Sequence, residues 1–253
     1  MRWLKAWRRR RILKQHRVDE SLWRRAVLSL PFLGELDRYD VARLKELTVL
    51  FLAEKEFTGA HALVVTDEMR VAIAAQACLP ILELGLDWYE GWTGIVIYPG
   101  DFRVRRSEVD ESGVVHEWDD ELAGEAMPGG PVVISWDAAV NDTGMNVVIH
   151  EFAHKLDMAN GEADGLPPLH ADMDPRAWRE AFREAYEGFR DAVERGRDTW
   201  LDPYAAEHPS EFFAVISEAF FAFPVQTQHR YPALYDQLRT FYRQNPAGRI
   251  PIR

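Results

Sequence analysis

A single cysteine, Cys78, stands among 253 residues. A lone thiol forbids an internal disulfide and removes thiolate zinc sites, which need several cysteines together. That usage fits a reducing compartment, so a cytoplasmic location is expected. No uninterrupted apolar run reaches the ~18 residues that would suggest a membrane span. The N-terminal stretch lacks the roughly 7–15-residue apolar core of a secretory signal. There is no internal repeat, and no low-complexity tract beyond a short basic head. Basic residues are in deficit: 30 Lys and Arg face 41 Asp and Glu, a net charge of −11. That balance argues against direct nucleic-acid binding. Hydrophobic residues at 47% exclude a disordered chain, and the length suits one large domain or two small ones with a sizeable core.

The basic residues present are unevenly placed. Residues 1–17 hold eight Lys or Arg and no acid, while the remainder carries 22 basic and 41 acidic residues, a net of −19. Such a head can contact an anionic membrane or a nucleic acid, or lie as a solvated helix against the acidic body of its own protein. The last is the favoured expectation.

Residues 20–58 read as helices, with Tyr39-Asp40 as a cap before Val41, Leu44, Leu47 and Leu50. Thr66 caps a second helix through Met69, Ala72, Ala75 and Leu79, and Pro80 ends or kinks it. Residues 94–98, 114–115 and 132–136 read as strands. From 143 onward the pattern is helical. Asp174-Pro175 opens one helix, and another runs from Pro209 to Pro224. Trp178, Phe182, Tyr186, Phe189 and Val193 recur at helical spacing, as core residues do. Helices, a few strands, then helices make an α+β fold.

His150-Glu151-Phe152-Ala153-His154 reads H-E-x-x-H. Four residues is close to one helical turn, so both imidazoles share a face and can grip one Zn²⁺. Glu151 lies beside them as a general base. An accidental match arises in roughly one chain of this size in a hundred. Here, however, Met145, Val148, Ile149, Phe152 and Leu156 supply an apolar back.

A catalytic zinc site needs a third protein ligand and an open position for water. Asp157 shares the face of His150 and His154, but one straight helix fits tetrahedral geometry poorly. Accepting a hydrogen bond from a ligand imidazole suits Asp157 better, and an ordinary salt bridge is its simplest role. Glu211 is the better third ligand. It lies with Glu218, seven residues on, in a run apolar on nearly every side, where an unpaired carboxylate is costly. Glu218 either orients a ligand histidine or faces solvent at a helix edge. Tyr204 offers a phenol that is either an oxyanion donor or a packed aromatic.

The run His150 to Asp157, with Tyr204 and Ser210-Glu211-Phe212-Phe213-Ala214 downstream, resembles the zinc peptidases of the Mlc titration factor A family. It is also similar to the catalytic domain of anthrax lethal factor. Leu86-Asp87-Trp88-Tyr89, Tyr98-Pro99 and the stretch Pro131 to Asp137 extend the first likeness over most of the chain, leaving out the basic head and the last few residues. Both are of the gluzincin type. The resemblance implies a gluzincin-like metallopeptidase domain with a small sheet, an H-E-x-x-H helix, a glutamate helix and a helical N-terminal lobe. The expected division is a basic segment 1–17 and one catalytic domain 18–253, itself a helical lobe 18–85 and a core 86–253.

It further implies one zinc per chain on His150, His154 and Glu211, with Glu151 as base and Tyr204 stabilising the transition state. The expected reaction is peptide-bond hydrolysis by a zinc-bound water that Glu151 deprotonates. A peptide or protein is the substrate, and the likeness points to aminopeptidase activity. The Gly-x-Met-Glu-Asn signature of the large gluzincin aminopeptidases is absent. The strand at 132–136 stands where gluzincins place an edge strand; it either holds an extended peptide by β-augmentation or is an ordinary sheet strand. The alternative is a regulatory protein that sequesters a transcriptional repressor resembling Mlc.

Overall fold

The computed structural model describes residues 2–27, 30–109, 115–141 and 146–250. Met145 and Val114 lie outside those residues. The chain begins with helices α1 (Arg2–Gln15), α2 (Glu20–Val27) and α3 (Arg38–Glu54), then strand β1 (Glu56–Gly59) and helix α4 (Asp67–Cys78). Strands β2 (Gly94–Tyr98), β3 (Phe102–Val109), β4 (Val115–Leu122), β5 (Gly124–Ala126) and β6 (Val132–Ser135) follow. The rest is helical: α5 (Trp136–Val140), α6 (Val147–Asp157), α7 (Pro175–Glu194), α8 (Pro209–Ala222), α9 (Pro224–Arg230) and α10 (Pro232–Tyr242). This is an α+β fold.

Local chemistry accounts for most helix starts. Thr66 caps α4 by accepting from Met69 N at 3.2 Å, and Asp174 with Pro175 opens α7. Helix α3 starts earlier than its sequence suggests. Its cap is Asp37, whose carboxylate accepts from both Tyr39 N and Asp40 N, so Tyr39 and Asp40 already sit in the first turn. Residues 56–58, expected at the end of a helical stretch, fall in β1 instead. Its pairing with β2, from Glu56↔Gly94 to Gly59↔Ile97, overrides local preference.

The four-stranded sheet has the order β1-β2-β6-β5; the first three strands run parallel and β5 is antiparallel to β6. The expected edge strand is therefore corrected. Residues 132–135 are interior, paired on both sides, and the edges are β5 and, across the sheet, β1. Sequence reading favoured the longer apolar run, but burial on both faces is what a continuous Val-Val-Ile run encodes. The missed β5 holds only three residues, too few to show alternation. Strands β3 and β4 pair antiparallel as a separate ribbon.

One buried core runs from Trp23 to Tyr242, so Leu44 and Ile73 of the N-terminal helices share it with Phe152 and Phe213. Helix α6 sits at its centre. It packs on α8, on α4 and on strands β5 and β6, and all eleven of its residues are buried. The basic stretch forms α1, which lies along α3.

Candidate metal centre

Helix α6 begins at Asn146, whose side chain accepts from Ile149 N at 2.8 Å. Asn146 is itself held from two directions. Its Nδ2 donates to Gln76 of α4 at 2.9 Å, and its backbone N donates to Glu218 Oε2 at 2.6 Å. The other oxygen of Glu218 lies 2.6 Å from His150 Nδ1. Glu218 thus ties α8 to the start of α6 and fixes one imidazole, the arrangement that orients ligating histidines. It is buried, and the solvent-facing alternative does not apply.

His150, His154 and Glu211 converge, with ligand atoms all within 4.8 Å of one another. His150 Nε2 is 3.1 Å from His154 Nε2 and 3.1 Å from Glu211 Oε2, and His154 Nε2 is 3.3 Å from that oxygen. Four ligands at ~2.05 Å around a tetrahedral ion stand about 3.3 Å apart. The spacing therefore fits a metal.

So does the charge. A hydrogen on His150 Nδ1 satisfies Glu218, which leaves Nε2 facing another imidazole nitrogen and a carboxylate oxygen. Two ring nitrogens and a carboxylate oxygen this close around one point are held together by a proton or a metal cation. Burial pushes His150 down, yet the bonds from Glu211 and Glu218 outweigh it and raise its proton affinity well above the ordinary value. Burial likewise pushes Glu211 up, and both imidazoles overcome that to hold it far below the usual carboxylate range. Burial lowers His154 and favours its neutral, ligating form. The donor set of two imidazoles and a carboxylate suits zinc.

Glu151 is 4% exposed, and burial pushes its carboxyl up to about 8. Its Oε2 has no hydrogen-bond partner among the described residues. A buried carboxyl that changes charge near neutrality can both take and return a proton. Above it passes the edge strand β5. A Cβ added to Gly124 would fall 2.5 Å from Glu151 Oε1 and 2.7 Å from its Cγ. Only glycine lets the strand lie this close. Nothing in the sequence marks Gly124, because the contact exists only between strand and helix.

Tyr204 stands on a short 3₁₀ turn, Pro203–Ala206, that leads into α8, and is 40% exposed. Burial raises its phenol well above the ordinary value, and the charges of Glu211, Glu207 and Glu151 raise it further, so it stays a donor. Asp157 departs from the expected role. Its Oδ2 accepts from Gly165 N at 2.8 Å and anchors the loop after α6, while Oδ1 has no partner among the described residues. Glu218 does the orienting instead. Its reach across helices put it on the correct side of His150, whereas Asp157 sits at the far end of α6.

Two imidazoles one helical turn apart, a glutamate from a later helix and a buried glutamate beside them are the equipment of a metal-dependent hydrolase. The chain belongs to the glucose-regulated metallo-peptidase M90 family, whose model matches residues 4–243. It is 35% identical over 234 residues to Mlc titration factor A of Yersinia pestis (strain Pestoides F), covering 90% of this chain and 86% of that protein. It is also 38% identical over 223 residues to slr2042, an uncharacterized protein of Synechocystis, covering 86% of this chain and 81% of the relative. No helix among the described residues is long and apolar enough to cross a membrane.

Proposed function

We propose that the protein is a zinc-dependent aminopeptidase in which His150, His154 and Glu211 hold one zinc ion. The observation that carries this reading is the convergence of three candidate ligand atoms, His150 Nε2, His154 Nε2 and Glu211 Oε2, 3.1–3.3 Å apart. Zinc there supplies a Lewis acid for the scissile carbonyl and acidifies water. Glu151 takes the proton of the attacking water and returns it to the leaving amine. Tyr204 donates to the developing oxyanion. Glu218 and Asn146 hold His150 in place. The open edge of β5 binds the peptide as an added strand, which lays its backbone across Glu151.

A second reading rests on the name of the Yersinia relative: the chain sequesters a repressor similar to Mlc. One experiment separates the two. In Glu151→Gln, zinc content by elemental analysis and the melting temperature stay near wild type, and peptide cleavage falls by about 10²–10⁴. Glu211→Ala loses most of its zinc. Near-native cleavage by Glu151→Gln ends the hydrolytic reading. Capture of a repressor that survives in this variant supports sequestration beside it.

A further inference from the structure

Helix α1 has two faces of different kind. Successive residues turn about 100°, so Lys5, Arg9, Ile12 and Leu13 fall on one side. That side is occupied. Lys5 pairs with Glu90 at 2.5 Å, Arg9 pairs with Asp87 at 2.6 Å and Glu54 at 3.4 Å, and Ile12 and Leu13 pack on the core. Trp7 projects directly opposite, with Trp3 and Leu4 beside it. These three are 53%, 74% and 57% exposed. Arg10, Arg11 and Lys14 surround them, exposed and without an ion pair among the described residues. The Arg11 guanidinium lies 5.7 Å from the centre of the Trp7 ring.

We propose that this outer face docks on an anionic lipid bilayer. Exposed aromatics flanked by Arg and Lys match the bilayer interface, where indole rings settle at headgroup depth and cations meet phosphates. Charge complementarity selects the partner and its orientation. Past residue 17 the chain carries a net of −19, so a negative surface repels the body on the whole and attracts this end. Leu4 favours lipid over nucleic acid, since an aliphatic side chain partitions into a bilayer but offers bases no stacking surface. The ion pairs of Lys5 and Arg9 keep the inner face on the body, so the helix docks without leaving the fold.

Sedimentation of the full chain with lipid vesicles tests this. With equimolar phosphatidylglycerol and phosphatidylcholine, the protein pellets at low salt and is released at high salt. With phosphatidylcholine alone it stays in solution. Trp3→Ser with Trp7→Ser, and separately Arg10→Glu with Arg11→Glu, each weaken binding by about tenfold or more while circular dichroism and kcat stay unchanged. Absence of binding to the anionic vesicles, or binding unchanged in both variants, overturns the proposal. So does tighter binding to a single-stranded oligonucleotide at the same salt that both variants lose, which would make the face a nucleic-acid surface.

Discussion

Helix α6 carries two buried polar clusters, and they are built differently. On one side Lys155 donates to Met127 O at 2.5 Å and Gly130 O at 2.8 Å, with its Nζ 4.8 Å from the centre of the Trp92 ring. Lys55 meets the same ring at 3.6 Å and donates to Tyr89 O and Trp92 O, both at 2.6 Å. Burial lowers both lysines to about 8, and each gives two hydrogens to backbone carbonyls. On the other side His154 Nδ1 and Glu151 Oε2 have no partner among the described residues, and three candidate metal-ligand atoms face one another. A satisfied cluster is a fastener. A cluster that leaves candidate ligand atoms crowded and a carboxyl unpaired is poised for something the chain does not itself supply.

Substitutions on the two sides should therefore fail in different ways. The largest effect belongs to the hydrolytic side. Tyr204→Phe keeps the ring and deletes one donor, so kcat drops by about 10²–10³ with KM little changed. Full kcat at saturating substrate would make Tyr204 a packed aromatic. Gly124→Ala comes next. Its new methyl displaces Glu151, and kcat falls about 10–10²-fold while zinc content holds. Adding Glu151→Asp, which shortens the carboxylate, recovers part of the loss. Recovery would separate positioning from mere disruption of the strand.

The lysine side should respond in stability alone. Lys155→Met leaves the part-buried carbonyl of Gly130 without its donor and removes one of the two bonds to that of Met127, which costs about 1–2 kcal/mol in urea unfolding, with the zinc content of the folded protein unchanged. A loss of metal at equal stability would erase the distinction between the clusters.

An effect of another kind, read as a pH dependence, tests Asp157, which lies between these extremes with one oxygen bonded and one not. Burial pushes its carboxyl up to about 7, against roughly 3.9 in an unfolded chain. The folded state then binds its proton more tightly, so its contribution to stability falls as pH rises from about 4 to about 7. Asp157→Asn removes that slope. The melting-temperature difference, variant minus wild type, should grow through this window and level off above it. A difference that shrinks with pH would mean that the carboxylate is stabilised by a partner.

The sequence disclosed what is encoded at short range. His150 and His154 are four residues apart, and any helix there puts both on one face. The apolar run around Glu211 and Glu218 made those carboxylates conspicuous because burial is expensive. What stayed hidden depends on contacts between distant segments. Tyr39 and Asp40 look as fit to cap as Asp37, which only the fold singles out, and residues 56–59 are strand because β2 is there to pair with them. Asp157 seemed an orienting group by helix spacing, yet the carboxylate that reaches His150 comes from 68 positions away.

By itself the sequence determined the helix that presents His150, Glu151 and His154, the glutamates of the second helix and the basic head, since each follows from periodicity or composition. Only the tertiary structure decided which carboxylate holds which imidazole, that β5 rather than β6 forms the edge on that side of the sheet, and that Gly124 lies against Glu151. Those outcomes rest on side chains and strands brought within a few ångströms by packing, and no local pattern records a distance of that kind.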